Sequence, residues 1–205
     1  MNIDFLARGL VVGFTIAAAV GPISLLTIRR TLAHGRVYGL ASGMGVALAD
    51  ASYGGVAAFG LSAVTALLVG LRPALALVGG VFLVLLAVRT IRMPAPTREA
   101  AVTERPGLLG AFLSIYGLTM TNPMTILSFA GIFAGLGLSG GSAPEAGLLT
   151  LGVFLGSGAW WVGLTAAVAR VRSRLTPQVL VWINRVSGTV LLAFGIVAIW
   201  VATRA

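Results

Sequence analysis

The chain contains no cysteine and no lysine, and only one histidine among its 205 residues. The missing thiols exclude disulfides, thiol redox chemistry and thiolate metal sites. One histidine cannot close a metal cage, so His34, beside Gly35 and Arg36, reads as a solvated loop residue. Charge is scarce as well. Only 9% of residues are charged and five are acidic, whereas a soluble domain carries about 25% charged residues. With 58% hydrophobic residues and a mean hydropathy of +1.03, no soluble fold hides the apolar surface. Lipid is the solvent that fits.

The net charge of +9 is all arginine. The arginines lie between apolar blocks rather than along one stripe. That pattern marks membrane topology rather than a nucleic-acid face. No nucleophile–base pair and no metal-ligand cluster stands out, so neither enzyme chemistry nor a metal or cofactor is expected.

Crossing the hydrocarbon core takes about 20 apolar residues. The sequence predicts six spans, at roughly 3–28, 38–63, 73–92, 108–136, 147–169 and 178–201. The first apolar run passes Ala17-Ala18-Ala19 and continues to Ile28, too long for a signal-peptide core. Eleven arginines fall on one side of these spans (Arg29, Arg30 and Arg36; Arg89, Arg92, Arg98 and Arg105; Arg170, Arg172, Arg174 and Arg185), and three, Arg8, Arg72 and Arg204, on the other. The positive-inside rule then places the basic loops in the cytoplasm and both termini outside. The Pro-rich stretch 93–107 reads as a cytoplasmic linker. It divides the chain into two three-span halves, 1–92 and 108–205, within one all-α integral membrane domain.

Two segments match across those halves. The first is Val20-Gly21-Pro22-Ile23-Ser24-Leu25-Leu26 and the second Thr121-Asn122-Pro123-Met124-Thr125-Ile126-Leu127, their prolines 101 residues apart. Proline removes a ladder hydrogen bond and clashes with the preceding turn, yet is favoured as the first residue of a helix. The first and fourth spans are therefore expected to break at Gly-Pro and Asn-Pro, with Gly21 and Asn122 capping new half-helices. Three spans per half make the repeat inverted, and matched Pro-interrupted spans point to a binding site at mid-membrane. The fresh helix N-termini offer free N–H groups and positive dipole ends to an anion such as a carboxylate. Ser24 and Thr125, each two residues past its proline, add hydroxyls. The alternative reading is a pair of packing kinks.

Asp50 is the one acid deep inside a span. It lies 14 residues after Arg36, about 21 Å along a helix. An ionisable group at that depth is a functional candidate, for a substrate ammonium or a coupling proton. Its alternative is an Asp that only bonds a neighbour's broken backbone. Tyr53 shares its helix face. Trp160 and Trp161, mid-span, are candidate cavity-lining residues or simple packing, while Trp182 and Trp200 read as interface anchors. Gly9-xxx-Gly13, Gly39-xxx-Gly43, Gly131-xxx-Gly135 and Gly152-xxx-Gly156 permit close helix approach within the chain or across a homodimer.

These residues together resemble the LysE/RhtB family of bacterial amino-acid exporters. Val20-Gly21-Pro22-Ile23-Ser24 looks like that family's Pro-Gly-Pro segment, and the likeness continues through Gly35-Arg36-Val37-Tyr38-Gly39-Leu40 to Asp50, Tyr53 and Gly60-Leu61-Ser62. Thr121-Asn122-Pro123 resembles its Asn-Pro-Lys motif. Val20 stands where the family usually has proline, and Met124 where it has lysine. The resemblance implies a six-helix exporter of the bacterial plasma (inner) membrane, driven by a proton or ion gradient. The expected function is alternating-access export of an amino acid or similar small zwitterion. The expected substrate-binding residues are Gly21, Pro22, Ser24, Asp50, Tyr53, Asn122, Pro123 and Thr125. Export of another cargo such as a metal cation, or a non-transporting membrane scaffold, are the alternatives.

Overall fold

The computed structural model describes residues 3–19, 21–60, 67, 70–92, 107–136, 142–172 and 176–204. Among them are eight α-helices and no strand: α1 (Ile3–Ala18), α2 (Pro22–His34), α3 (Arg36–Ala58), α4 (Arg72–Ile91), α5 (Leu108–Met120), α6 (Pro123–Leu136), α7 (Ala143–Arg172) and α8 (Pro177–Ala202). Three of these helices are long and apolar enough to cross a membrane, over Pro73–Ile91, Ala143–Val171 and Val181–Ala202. A fourth crossing is available if α1 and α2, bent by 77° at their junction, count as one broken span. Val20, and the linker expected at 93–107 apart from Gly107, lie outside the described residues.

Both proline segments interrupt helices. After α1 the chain turns, Gly21 is extended (φ −150°, ψ −170°), and Pro22 opens α2. The Gly21 carbonyl takes the Leu25 amide at 3.1 Å, so α2 starts where proline's missing N–H costs nothing. At the second interruption α5 ends at Met120, and the Asn122 carbonyl accepts from Thr125 N (3.1 Å) and Ile126 N (3.3 Å). Asn122 thus occupies the cap position of α6, as Gly21 does for α2.

The connection between α2 and α3 differs from the sequence expectation. The expected loop carrying Arg29, Arg30, His34 and Arg36 shrinks to Gly35 alone, at φ 98°. That left-handed conformation is open to glycine and costly for other residues. Arg29 and Arg30 are therefore helical, and Arg29 is buried. His34 sits in the last turn of α2 with its ring 5.4 Å from that of Tyr38. Hydropathy missed this because two arginines look like a membrane exit. Here each finds partners instead: Arg29 Nε donates to Asn184 Oδ1 (3.1 Å) on α8. Arg30 donates to Ser42 Oγ (3.1 Å) on α3 and to the Ala111 carbonyl (2.8 Å) and Ser114 Oγ (2.9 Å) on α5. Arginine's fixed fork of donors suits such a three-way junction.

Helix packing runs between the halves of the chain. The first helix of each half lies on the third helical element of the other: α1 on α7, and α5 on α3. Between them α3 packs on α7, and α4 packs on α8. Small residues set these seams. A Cβ on Gly9 or Gly13 would run into the backbone of Leu149 or Val153, and one on Gly152 or Gly156 into the backbone of Leu6 or Leu10. The α4–α8 seam repeats the device: a Cβ on Gly80 would sit 3.0 Å from the Gly195 carbonyl, and one on Gly195 2.9 Å from that of Gly80. Without a hydrophobic drive between helices in lipid, such close approach is what associates them. Gly39 packs against Thr31 and Gly43 against Trp161, so that pattern also acts within the chain; the side-chain surroundings of Gly131 and Gly135 lie outside the described set.

α3 is the central helix. Gly45, Ala47, Ala49, Asp50 and Tyr53 are buried along it. It is richer in glycine and alanine than in leucine because protein rather than lipid surrounds it. α4 and α8 face outward, exposing Val78, Leu85, Trp182, Ile196, Val197 and Trp200. The Arg204 guanidinium lies 4.4 Å from the Trp200 ring centre, a cation–π arrangement suited to a helix end at a membrane surface.

Candidate functional site

The two interruptions and Asp50 meet at one cavity of about 350 Å³. Its wall takes Ile16, Ala17 and Ala19 from the end of α1, and Gly21, Pro22, Ile23 and Ser24 from the start of α2. Val46 and Asp50 come from α3, Gly79, Gly80 and Leu83 from α4, and Leu118 and Thr119 from α5. The second break supplies Thr121 and Asn122, α6 supplies Thr125 and Ser128, α7 supplies Trp161, and α8 supplies Phe194, Val197, Ala198 and Val201. That volume falls at the lower end of cavities that hold small ligands, about 300–1,000 Å³.

Local chain geometry explains why polar groups collect here. The first amides of a helix have no acceptor within it. Pro22 has no N–H and Leu25 bonds back to Gly21, which leaves the Ile23 and Ser24 amides at the α2 tip without a helical acceptor among the described residues. Pro123 likewise has none, and Thr125 and Ile126 bond back to Asn122, which leaves the Met124 amide at the α6 tip. The end of α5 is treated differently. Thr119 Oγ1 donates to the Ile115 carbonyl (2.8 Å) and Thr121 Oγ1 to the Gly117 carbonyl (3.1 Å). Those hydroxyls supply the terminal carbonyls with extra donors. Ser24 Oγ donates to the Ala19 carbonyl across the first break (3.3 Å).

Asp50 is 1% exposed. Ser157 Oγ on α7 donates to its Oδ2 at 2.7 Å. No cation pairs with Asp50 among the described residues. A buried carboxylate with one neutral hydrogen bond is costly, so a proton or a cationic group is the natural neutraliser. Among the described residues no group of three or more His, Asp or Glu side chains gathers to hold a metal ion.

Of the residues singled out in the sequence, Gly21, Pro22, Ser24, Asp50, Asn122, Thr125 and Trp161 line this cavity. The side chain of Pro123 lies outside the described set. Tyr53 is elsewhere. Its ring stacks on Phe129 (5.8 Å between centres, 27° between planes), and its hydroxyl donates to the Met120 carbonyl. Tyr53 thereby ties α3 to the end of α5 just before the second break. Trp160 also lies off the cavity, edge-on to Phe14 at 5.4 Å. The indole N–H groups of Trp160 and Trp161 are buried with no hydrogen-bond partner among the described residues.

Sequence reasoning did not find Ser157, Thr119, Thr121, Ser128 or the α4 and α8 walls. A mid-span serine between Gly156 and Gly158 was a visible signal for Ser157. The α8 contribution carried none, since Phe194, Val197 and Val201 look like any lipid-facing residues.

The family described as LysE type translocator matches residues 14–201. The uncharacterized membrane protein YahN of Escherichia coli (strain K12) is 30% identical over 148 residues, 69% of this chain and 65% of that protein, so the chain spans just under two thirds of its length. The Bacillus subtilis (strain 168) protein YcgF, provisionally named an amino acid efflux protein, is 26% identical over 193 residues, 91% of this chain and 90% of that protein. No solved structure gives a significant match. With an all-helical apolar fold and a family match covering nearly its whole length, the chain belongs to the LysE type translocator family of membrane transporters.

Proposed function

We propose that this translocator is a secondary exporter of an amino acid or a related small zwitterion across the plasma membrane. The reading is carried by one observation: both helix interruptions and the deep acid Asp50 open onto the same cavity. A zwitterion presents a carboxylate and an ammonium a few ångströms apart. The carboxylate lies at the α2 and α6 tips, where free amides and dipole ends favour an anion. The ammonium, or in its absence a proton, occupies Asp50, which Ser157 orients through its hydroxyl. A single site that holds either cargo or proton couples export to a proton gradient.

The six spans form two inverted three-helix repeats, with α1–α2 and α5–α6 as the broken first and fourth spans. The exchanged packing supports this arrangement, since α1 lies on α7 as α5 lies on α3. Rocking of one half against the other then exposes the cavity to each side in turn. The basic segments face the cytoplasm and both termini face outward.

The test is transport in proteoliposomes loaded with labelled amino acids under an imposed pH gradient. Gradient-dependent efflux is expected for the parent, with loss in Asp50→Asn and in Pro22→Ala. Both variants transporting at the parent rate would refute the site assignment.

A further inference from the structure

Building on the exporter reading above, we propose that the cargo is an amino acid with an apolar, uncharged side chain. The charged groups and helix tips of the cavity account for the amino-acid core and leave no further charge. Asp50 is the one acidic side chain in its wall, and no arginine or histidine lines it among the described residues. If Asp50 takes the ammonium and the helix tips take the carboxylate, no counter-charge is left. A lysine-like cargo would need a second acid, and a glutamate-like cargo a base. Burying either side chain unpaired is severely unfavourable.

Among uncharged side chains the wall favours apolar ones. The hydroxyls of Ser24, Thr119 and Thr121 already donate to main-chain carbonyls. Asn122, Thr125, Ser128 and the indole of Trp161 also reach the cavity, and its apolar wall includes Ile16, Val46, Leu83, Leu118, Phe194 and Val197. These apolar residues come from five helices, α1, α3, α4, α5 and α8. An aliphatic or aromatic side chain buries its whole area against that wall, a gain that a hydroxyl or amide does not match.

Counterflow in proteoliposomes containing the full chain tests this. Vesicles are preloaded with unlabelled leucine and uptake of labelled leucine is measured against external valine, phenylalanine, serine, lysine or glutamate. Valine and phenylalanine should compete within about tenfold of leucine, and lysine and glutamate at least about 100-fold more weakly, the discrimination expected of an unpaired buried charge. Leu83→Glu, which adds a second acid to the wall, should improve lysine relative to leucine by at least about tenfold. Val46→Asp serves the same purpose if Leu83→Glu does not elute as a single species. Lysine or glutamate competing as well as valine in the parent, or neither acid variant shifting the ratio, would overturn the apolar-cargo inference while leaving amino-acid export intact. Counterflow of no amino acid at all would instead overturn the exporter reading, and this inference with it.

Discussion

Replacing Gly13 by alanine probes the seam that positions the first helix break. Gly13 faces α7, and a methyl there would sit 2.7 Å from Val153 Cα and 2.8 Å from its carbonyl carbon. Backbone atoms cannot rotate aside as a side-chain tip would, so α1 and α7 must separate. Forcing extra volume into such a contact costs about 1–3 kcal/mol. Gly163, on the same helix α7, is the internal control, because a Cβ there meets nothing within 4 Å. Gly163→Ala should gain up to about 1 kcal/mol from helix propensity alone. Gly13 is helical as well, so that gain is common to both and the two variants should differ by the seam cost, about 1–3 kcal/mol, which for a chain of this size is a gap of roughly 2–12 °C in Tm. Thermal unfolding of the purified protein in detergent, followed by circular dichroism, reads this directly. Gly13→Ala melting with Gly163→Ala would show that α1 does not cross α7 at this glycine, and the placement of the Gly21-Pro22 break would fall with it.

Arg30→Ala removes the donors to Ser42, Ala111 and Ser114 and should destabilise the protein by about 2–4 kcal/mol in the same unfolding assay. Arg30→Lys should recover only part of this, because one ammonium cannot reproduce the fork. Tyr53→Phe should cost about 1 kcal/mol for its lost bond to the Met120 carbonyl, with the KM for transport unchanged. A large rise in KM would return Tyr53 to the substrate site.

Much of the fold was legible because lipid imposes a simple rule on composition. Three of the expected spans coincide closely with single helices long and apolar enough to cross a membrane: Arg72–Ile91, Ala143–Arg172 and Pro177–Ala202. Both interruptions could be read from proline, whose effect is covalent and local. Asp50 could be read from the cost of its charge. What escaped depends on tertiary contact. Arg29 and Arg30 signal a loop until Asn184, Ser42, Ser114 and the Ala111 carbonyl are found beside them. Tyr53 shares a helical face with Asp50, but a residue three positions on also advances along the axis, far enough to meet Phe129 rather than the cavity. Ser157 is 107 residues from Asp50 in sequence, and nothing local forecasts their pairing. The apolar wall given by α4 and α8 depends on a glycine seam that any Gly-rich sequence offers many times.

The central claim is that the cavity between the two breaks holds the cargo with its ammonium on Asp50. Equilibrium binding to the purified protein tests it most directly, comparing the parent with Asp50→Asn, each against the transported amino acid and its des-amino analogue. Asparagine keeps the size of the side chain and can still accept from Ser157, so the charge alone is removed. The account predicts at least about 100-fold weaker binding of the amino acid to Asp50→Asn, the effect of stripping one partner from a buried ion pair, with binding of the des-amino analogue little changed. Equal affinity of both proteins for the amino acid, or an equal loss for both ligands, would contradict it.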